Sequence, residues 1–187
     1  MSTKGRGGWS RFGIATLPRL FLIIAASLVL GGCLGMPEKI SPVTPFDADR
    51  YLGKWYEVAR LDHSFERGLE RVTAEYALRD DGGIDVTNRG YSPEDGEWNE
   101  ASGKAYFVNE PDEGYLKVSF FGPFYGSYVV FGLDRKDYRH AFVSGPDLSY
   151  LWLLARTPQV SEAVKADFIA RAAAAGFDTD SLIWVKH

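Results

Sequence analysis

The chain has 187 residues, 14% of them aromatic, with 20 glycines, which is enough for one domain with a substantial core and too little for two. The formal charge of −4 hides an asymmetry: residues 1–32 hold Lys4, Arg6, Arg11 and Arg19 and no acid, so the remainder has 17 basic against 25 acidic residues. An acidic body repels phosphates and excludes a nucleic-acid partner, and a single cysteine excludes an internal disulfide and a multi-thiolate zinc site.

In chain order, the basic stretch Met1–Arg19 precedes the apolar run Leu20–Leu30. Eleven residues match a signal-peptide core and are too few to span a bilayer. Leu30-Gly31-Gly32-Cys33 then places the only cysteine after two small residues, with Leu three positions ahead of it. This resembles a bacterial lipobox. The resemblance implies that residues 1–32 are a lipoprotein signal peptide and that Cys33 is the lipidation site, carrying several acyl chains for durable anchoring. Leu34 stands where an inner-membrane retention signal has Asp, so the same resemblance points to the outer membrane. Residues 33–45 read as lipidated cysteine plus tether, since Pro37, Pro42 and Pro45 disfavour regular structure.

Residues 46–187 read as one barrel domain. Short alternating segments recur between turn residues: Gly53–Arg60, Val72–Leu78, Ile84–Tyr91, Trp98–Val108, Tyr115–Phe120, Ser127–Asp134, His140–Ser144 and Tyr150–Ala155. Eight such strands imply an all-β fold, an up-and-down antiparallel β-barrel able to hold one small ligand. The connections 80–83, 109–114 and 135–139 are short and polar. Those at 62–71, 92–97, 121–126 and 145–149 include long and aromatic segments. Alternate connections share an end, so one end is expected tight and the other open. Ser161 then caps a helix whose stripe is Val164, Phe168, Ala172 and Ala175, with Ile169, stopping at Gly176. The helix should pack outside the barrel, followed by a final strand over Ile183–Lys186.

Gly53-Lys54-Trp55 opens the first strand, Leu133-Asp134-Arg135 with Tyr138-Arg139 sits at the sixth connection, and Arg156 follows the eighth strand. These three pieces resemble the structural signature of the lipocalins, in the calycin superfamily, although the second is altered from the family's compact form. The resemblance implies Arg156 stacked on Trp55 at the closed end, worth about 0.5–2 kcal/mol. Longer stretches (Gly53–Arg60, Asp62–Leu69, Val118–Gly126 and Leu151–Pro158) are similar to the bacterial outer-membrane lipoprotein lipocalins of the Blc type. That likeness implies storage or transport of fatty acids or lysophospholipids, for envelope maintenance or stress, with no cofactor.

Candidate ligand contacts come from alternation and placement. Tyr76, Phe107, Val118 and Phe120 fall on apolar strand faces that either line a cavity or fill it. Tyr125 lies at the expected open end. Trp152 shares parity with Arg156 and should point inward above it. Both rings join an apolar body to a polar tip, suited to the boundary between a buried chain and a wet head group. His63, His140 and His187 show no metal-ligand spacing, and the charged stretch Asp62, Glu66, Arg67, Glu70 and Arg71 reads as a solvated gate. No nucleophile elbow, phosphate loop or thiol nucleophile is visible in the body, so the chain is read as a non-enzyme. Its expected partners are a single-chain lipid and the membrane; a homodimer stays open. Two alternatives remain: a structural lipoprotein with a filled barrel, and an enzyme using Glu57, the first-strand carboxylate with Trp55's parity.

Overall fold

The computed structural model describes Leu34–His187; the lipobox and Cys33 lie outside the described residues. A short helix α1 (Ala48–Tyr51) leads into β1 (Gly53–Arg60). Then follow β2 (Glu70–Leu78), β3 (Ile84–Ser92), β4 (Glu97–Phe107) and β5 (Tyr115–Phe121). After them come β6 (Phe124–Leu133), β7 (His140–Ser144), β8 (Leu151–Ala155), α2 (Glu162–Ala175) and β9 (Ile183–Trp184). Neighbouring strands pair antiparallel in chain order, and β1 pairs with both β8 and β2, which closes the expected eight-stranded barrel. β9 is shorter than anticipated and adds to the outside edge of β1 through Ala59 and Arg60. That edge is free because β2 pairs only with Gly53–Tyr56. The backbone N–H of Arg71 bonds Lys186 instead, so the C-terminal segment wedges β1 and β2 apart at one end.

Alternation partitions the side chains into two cores. Inside the barrel Trp55, Tyr76, Val130, Val143 and Leu154 pack together. Outside it, Val58, Val129, Phe142 and Leu153 meet Phe168 and Ala172 of α2. The helix begins at Ser161, whose side chain accepts from the Val164 N–H, and ends at Gly176, where φ of +99° requires a residue without a Cβ. Phe168 and Ala172 are fully buried whereas Ile169 stays exposed, so the buried stripe is narrower than the sequence pattern.

Gly35–Pro45, anticipated as a free tether, instead forms a strap on the barrel wall. Gly35 N–H donates to Ser127 Oγ at 3.0 Å, Val43 exchanges backbone bonds with Val130 and Gly114, and Phe46 N–H reaches Asp112. Ile40, Val43 and Phe46 are buried. The apolar residues between the prolines are what the strap buries, each worth roughly 1.5–3 kcal/mol, enough to dock a segment lacking regular structure.

Candidate functional site

The closed end is built around Trp55. β1 turns its indole inward, its Nε1–H donates to the Tyr51 carbonyl at 2.7 Å, and it is wholly buried. The guanidinium carbon of Arg156 lies 3.9 Å from the Trp55 ring centroid. Its three nitrogens donate to carbonyls of Lys54 (2.9 Å), Arg50 (2.8 Å) and Tyr138 (3.3 Å). Gly53 has φ of +85°, a backbone conformation that favours glycine at the start of β1. The β6–β7 turn joins this floor: Arg50 donates to the carbonyls of Arg135 and Lys136 and lies over the Tyr138 ring.

Above the floor runs a slim channel. Its cavity volume is about 90 Å³. At its base Tyr128 OH pairs with Tyr51 OH at 2.7 Å and with Tyr76 OH at 2.9 Å. Burial pushes all three phenols upward, so they stay neutral and satisfy one another. The shaft is apolar, with Val72, Val86, Leu116, Val118 and Phe120 among its lining residues. Thr73, Asn88 and Ser127 interrupt it with polar groups, and the buried Oδ1 of Asn88 has no hydrogen-bond partner.

The other end carries a buried charged cluster. Glu57, Glu66 and Trp152 line the channel, and Glu57, Arg60, His63 and Glu66 are all buried. Arg60 Nη1 donates to Glu57 Oε1 at 2.6 Å, and Nη2 to the carbonyls of Glu66 and Leu69 at 2.8 and 3.2 Å. Trp152 Nε1–H donates to Glu66 Oε2 at 3.0 Å. His63 Nε2 lies 2.9 Å from that oxygen, in a contact too bent to be a well-aligned hydrogen bond. Burial and the neighbouring Glu66 raise the Glu57 carboxyl well above its ordinary range. Burial would raise Glu66 too, but His63, Trp152 and a hydrogen bond from Glu57 outweigh it and hold Glu66 low. Glu57 is therefore the protonated partner of an ionised Glu66.

Of the sequence candidates, Tyr76, Val118, Phe120 and Trp152 line the channel. Two others do not. Phe107 packs near the floor, with its ring centroid 6.3 Å from Phe46. Tyr125 sits on the outer wall, its ring 6.5 Å from Tyr106 and 5.3 Å from Lys117 Nζ. Tyr125 shares the parity of Val129 and Phe131, which pack outside the barrel, whereas Tyr128 faces in. Glu66, read as part of a solvated gate, is buried instead. It was missed with Arg60 because Glu57 and Arg60 differ in parity, and the β1 bulge between Glu57 and Ala59 realigns them. Tyr128 was missed because its strand is apolar on both faces. Among the described residues no group of three or more His, Cys, Asp or Glu side chains is placed to hold a metal ion. No helix among them is long and apolar enough to cross a membrane.

Comparisons with known proteins agree with this geometry. A lipocalin-like domain model matches residues 46–187. Outer membrane lipoprotein Blc of Vibrio cholerae is 64% identical over 169 residues, covering 90% of this chain and 99% of that protein. The protein of the same name from Escherichia coli K12 is 53% identical over 174 residues, covering 93% and 95%. Among solved structures, insecticyanin from the tobacco hornworm Manduca sexta superposes with a TM-score of 0.64 at 22% identity, over 82% of this chain and 87% of that one. That likeness speaks for the fold alone. With a β-barrel closed by Trp55 and Arg156 and with these relatives, the chain belongs to the lipocalin-like family, among the outer-membrane lipoproteins of the Blc type.

Proposed function

We propose that this protein is anchored through Cys33 and carries one single-chain lipid, a fatty acid or lysophospholipid, in the barrel, which faces the periplasm. One observation carries the reading: a slim apolar shaft, blind at the Tyr51–Tyr128–Tyr76 end and polar at the other. The acyl tail lies along Val86, Val118 and Phe120, and the head group meets Glu57, Glu66 and Trp152. Each methylene taken from water gains about 0.8 kcal/mol, so some ten of them support micromolar affinity without head-group specificity. The narrowness of the channel supports one chain over a bulky or two-chain ligand. An ionised Glu66 at the head-group position disfavours a fatty-acid anion and favours a head group bearing hydroxyl or ammonium donors.

Native mass spectrometry of Cys33→Ser protein after exposure to lysophosphatidylethanolamine and palmitate tests this. The expected result is a one-to-one complex, dominated by the lysolipid at neutral pH and weakened by Trp152→Ala. Retention of neither lipid, or no effect of Trp152→Ala, refutes the reading.

A catalytic reading has one observation in its favour, the raised carboxyl of Glu57 on the channel wall. It requires turnover that Glu57→Gln abolishes while lipid retention persists. Against it, the Glu57 carboxyl is already engaged by Arg60 and Glu66.

A further inference from the structure

Large apolar side chains are exposed around the open end. Phe121 and Phe124, the most exposed at 79% and 64%, flank the β5–β6 turn. Phe65 in the β1–β2 connection and Leu148 in the β7–β8 connection are exposed at the same end. The strap explains why this matters. It runs down the wall from Ser127, near the start of β6, to Asp112 at the closed end. Its upstream end, Leu34–Gly35, therefore sits at the open end between two apolar connections. Gly35 bonds Ser127, lies beside Pro146, and Leu34 is itself exposed. Cys33 is the next residue in the sequence.

The opposite side of the mouth is built differently. The β3–β4 ribbon pairs with itself as far as Ser92 and Glu97, while β4 meets β5 only from Lys104 onward. It therefore projects past the rim, carrying Glu94, Asp95, Glu97 and Glu100 in its tip and outer stretch. Anionic lipid repels such a ribbon.

We propose that the β5–β6 and β7–β8 side of the mouth docks on the lipid bilayer surface, with Phe121, Phe124 and Leu148 inserted beside the anchor, so that the barrel leans with its lumen opening at the head-group layer. The proposal rests on acylation of Cys33. A docked strap in place of a free tether is what makes the orientation determinate: a thirteen-residue flexible leash would let the barrel tumble, whereas an anchor one residue from the wall permits only one edge to approach. Phe and Leu side chains suit insertion at the head-group boundary.

The test uses full-length acylated protein in vesicles of phosphatidylethanolamine with a minor share of phosphatidylglycerol, containing spin-labelled lipid. A fluorophore is attached at Ser149→Cys (anchor side of the mouth), Asp95→Cys (ribbon) or Lys136→Cys (closed end), since acylation blocks the native thiol. Quenching at 149 should exceed that at 136 at least about threefold, as insertion reaches only ~5–10 Å, with 95 close to 136. Phe121→Asp with Phe124→Asp should lower the 149 signal toward that at 136, while the acyl chains keep the protein on the vesicle. Equal quenching at 149 and 136, or a 149 signal indifferent to the double substitution, overturns the proposal. So does a dimer in solution that the double substitution makes monomeric, which assigns the patch to a second copy. Intact-mass measurement reports Cys33 acylation separately. Neither phenylalanine lines the channel, so lipid retention by the Cys33→Ser protein should be unchanged, and failure of docking stays distinct from failure of the carrier reading.

Discussion

Replacing Arg156 by Ala removes the floor contact and is the sharpest structural test of the closed end. Its stacking on Trp55 at 3.9 Å is worth about 1 kcal/mol at a partly exposed site. The two short bonds to Lys54 and Arg50 carbonyls at 2.9 and 2.8 Å add about 0.5–1.5 kcal/mol each, and the longer bond to Tyr138 less. Solvent reaches this rim and re-hydrates part of what is lost, so the expected loss is about 2–4 kcal/mol, not the full sum. For a chain of this size that lowers Tm by roughly 5–15 °C. Urea unfolding of Cys33→Ser protein should show the midpoint falling with an unchanged slope, because the barrel still buries the same surface. Arg156→Lys keeps the charge but loses the planar fork, and should recover less than about half the loss. A double cycle with Trp55→Leu should return a coupling of about 0.5–2 kcal/mol. A loss under about 1 kcal/mol, or full recovery by Lys, would show that charge or loop packing closes the floor and that stacking does not.

Three further outcomes follow from the same structure. Glu57 holds its proton above the ordinary carboxyl range, so its stabilisation is full below about pH 4.3 and is lost as pH rises through the raised native value. Glu66, held low, contributes in the opposite sense, above its ordinary value and lost as pH falls. Glu57→Gln should therefore flatten the decline in stability on the alkaline side, measured by urea midpoints at stepped pH; an unchanged slope would place that proton elsewhere. Phe168→Ala empties a fully buried site against Phe142 and should cost about 3–5 kcal/mol, with hydrogen exchange quickening in α2 first; uniform quickening would mean the helix is no separate layer. Tyr128→Phe leaves Tyr51 and Tyr76 hydroxyls without their shared partner and should cost about 1–3 kcal/mol; a stabilised variant would refute the triad as a satisfied network.

Much of the barrel was legible because its strands see two different environments. Val72, Ala74 and Tyr76 alternate with polar residues facing water, and all three line the channel. β6, β7 and β8 were harder: Val129, Phe142 and Leu153 pack under α2 while Val130, Val143 and Leu154 fill the lumen side, so both faces are apolar and parity carries no signal. Trp55 and Arg156 could be paired only through the resemblance of their motifs to the lipocalin signature, since they lie about a hundred residues apart and no local pattern joins them. Tyr125 was placed by its connection alone, because β6 is apolar on both faces and its parity with the outward Val129 could not be read from the sequence.

The sequence alone determined the class of fold, the tight and open ends, and the position of the only cysteine, since these depend on period, turn chemistry and spacing along the chain. Tertiary structure decided what depends on distances across it. It seated the presumed tether on the barrel wall, because Ile40 and Val43 find apolar partners ninety residues away in β6. It brought Glu57, Arg60, His63, Glu66 and Trp152 into one buried cluster, because a bulge and a loop return act together. Burial then raised the Glu57 carboxyl while its partners held Glu66 low, which no local pattern of residues records.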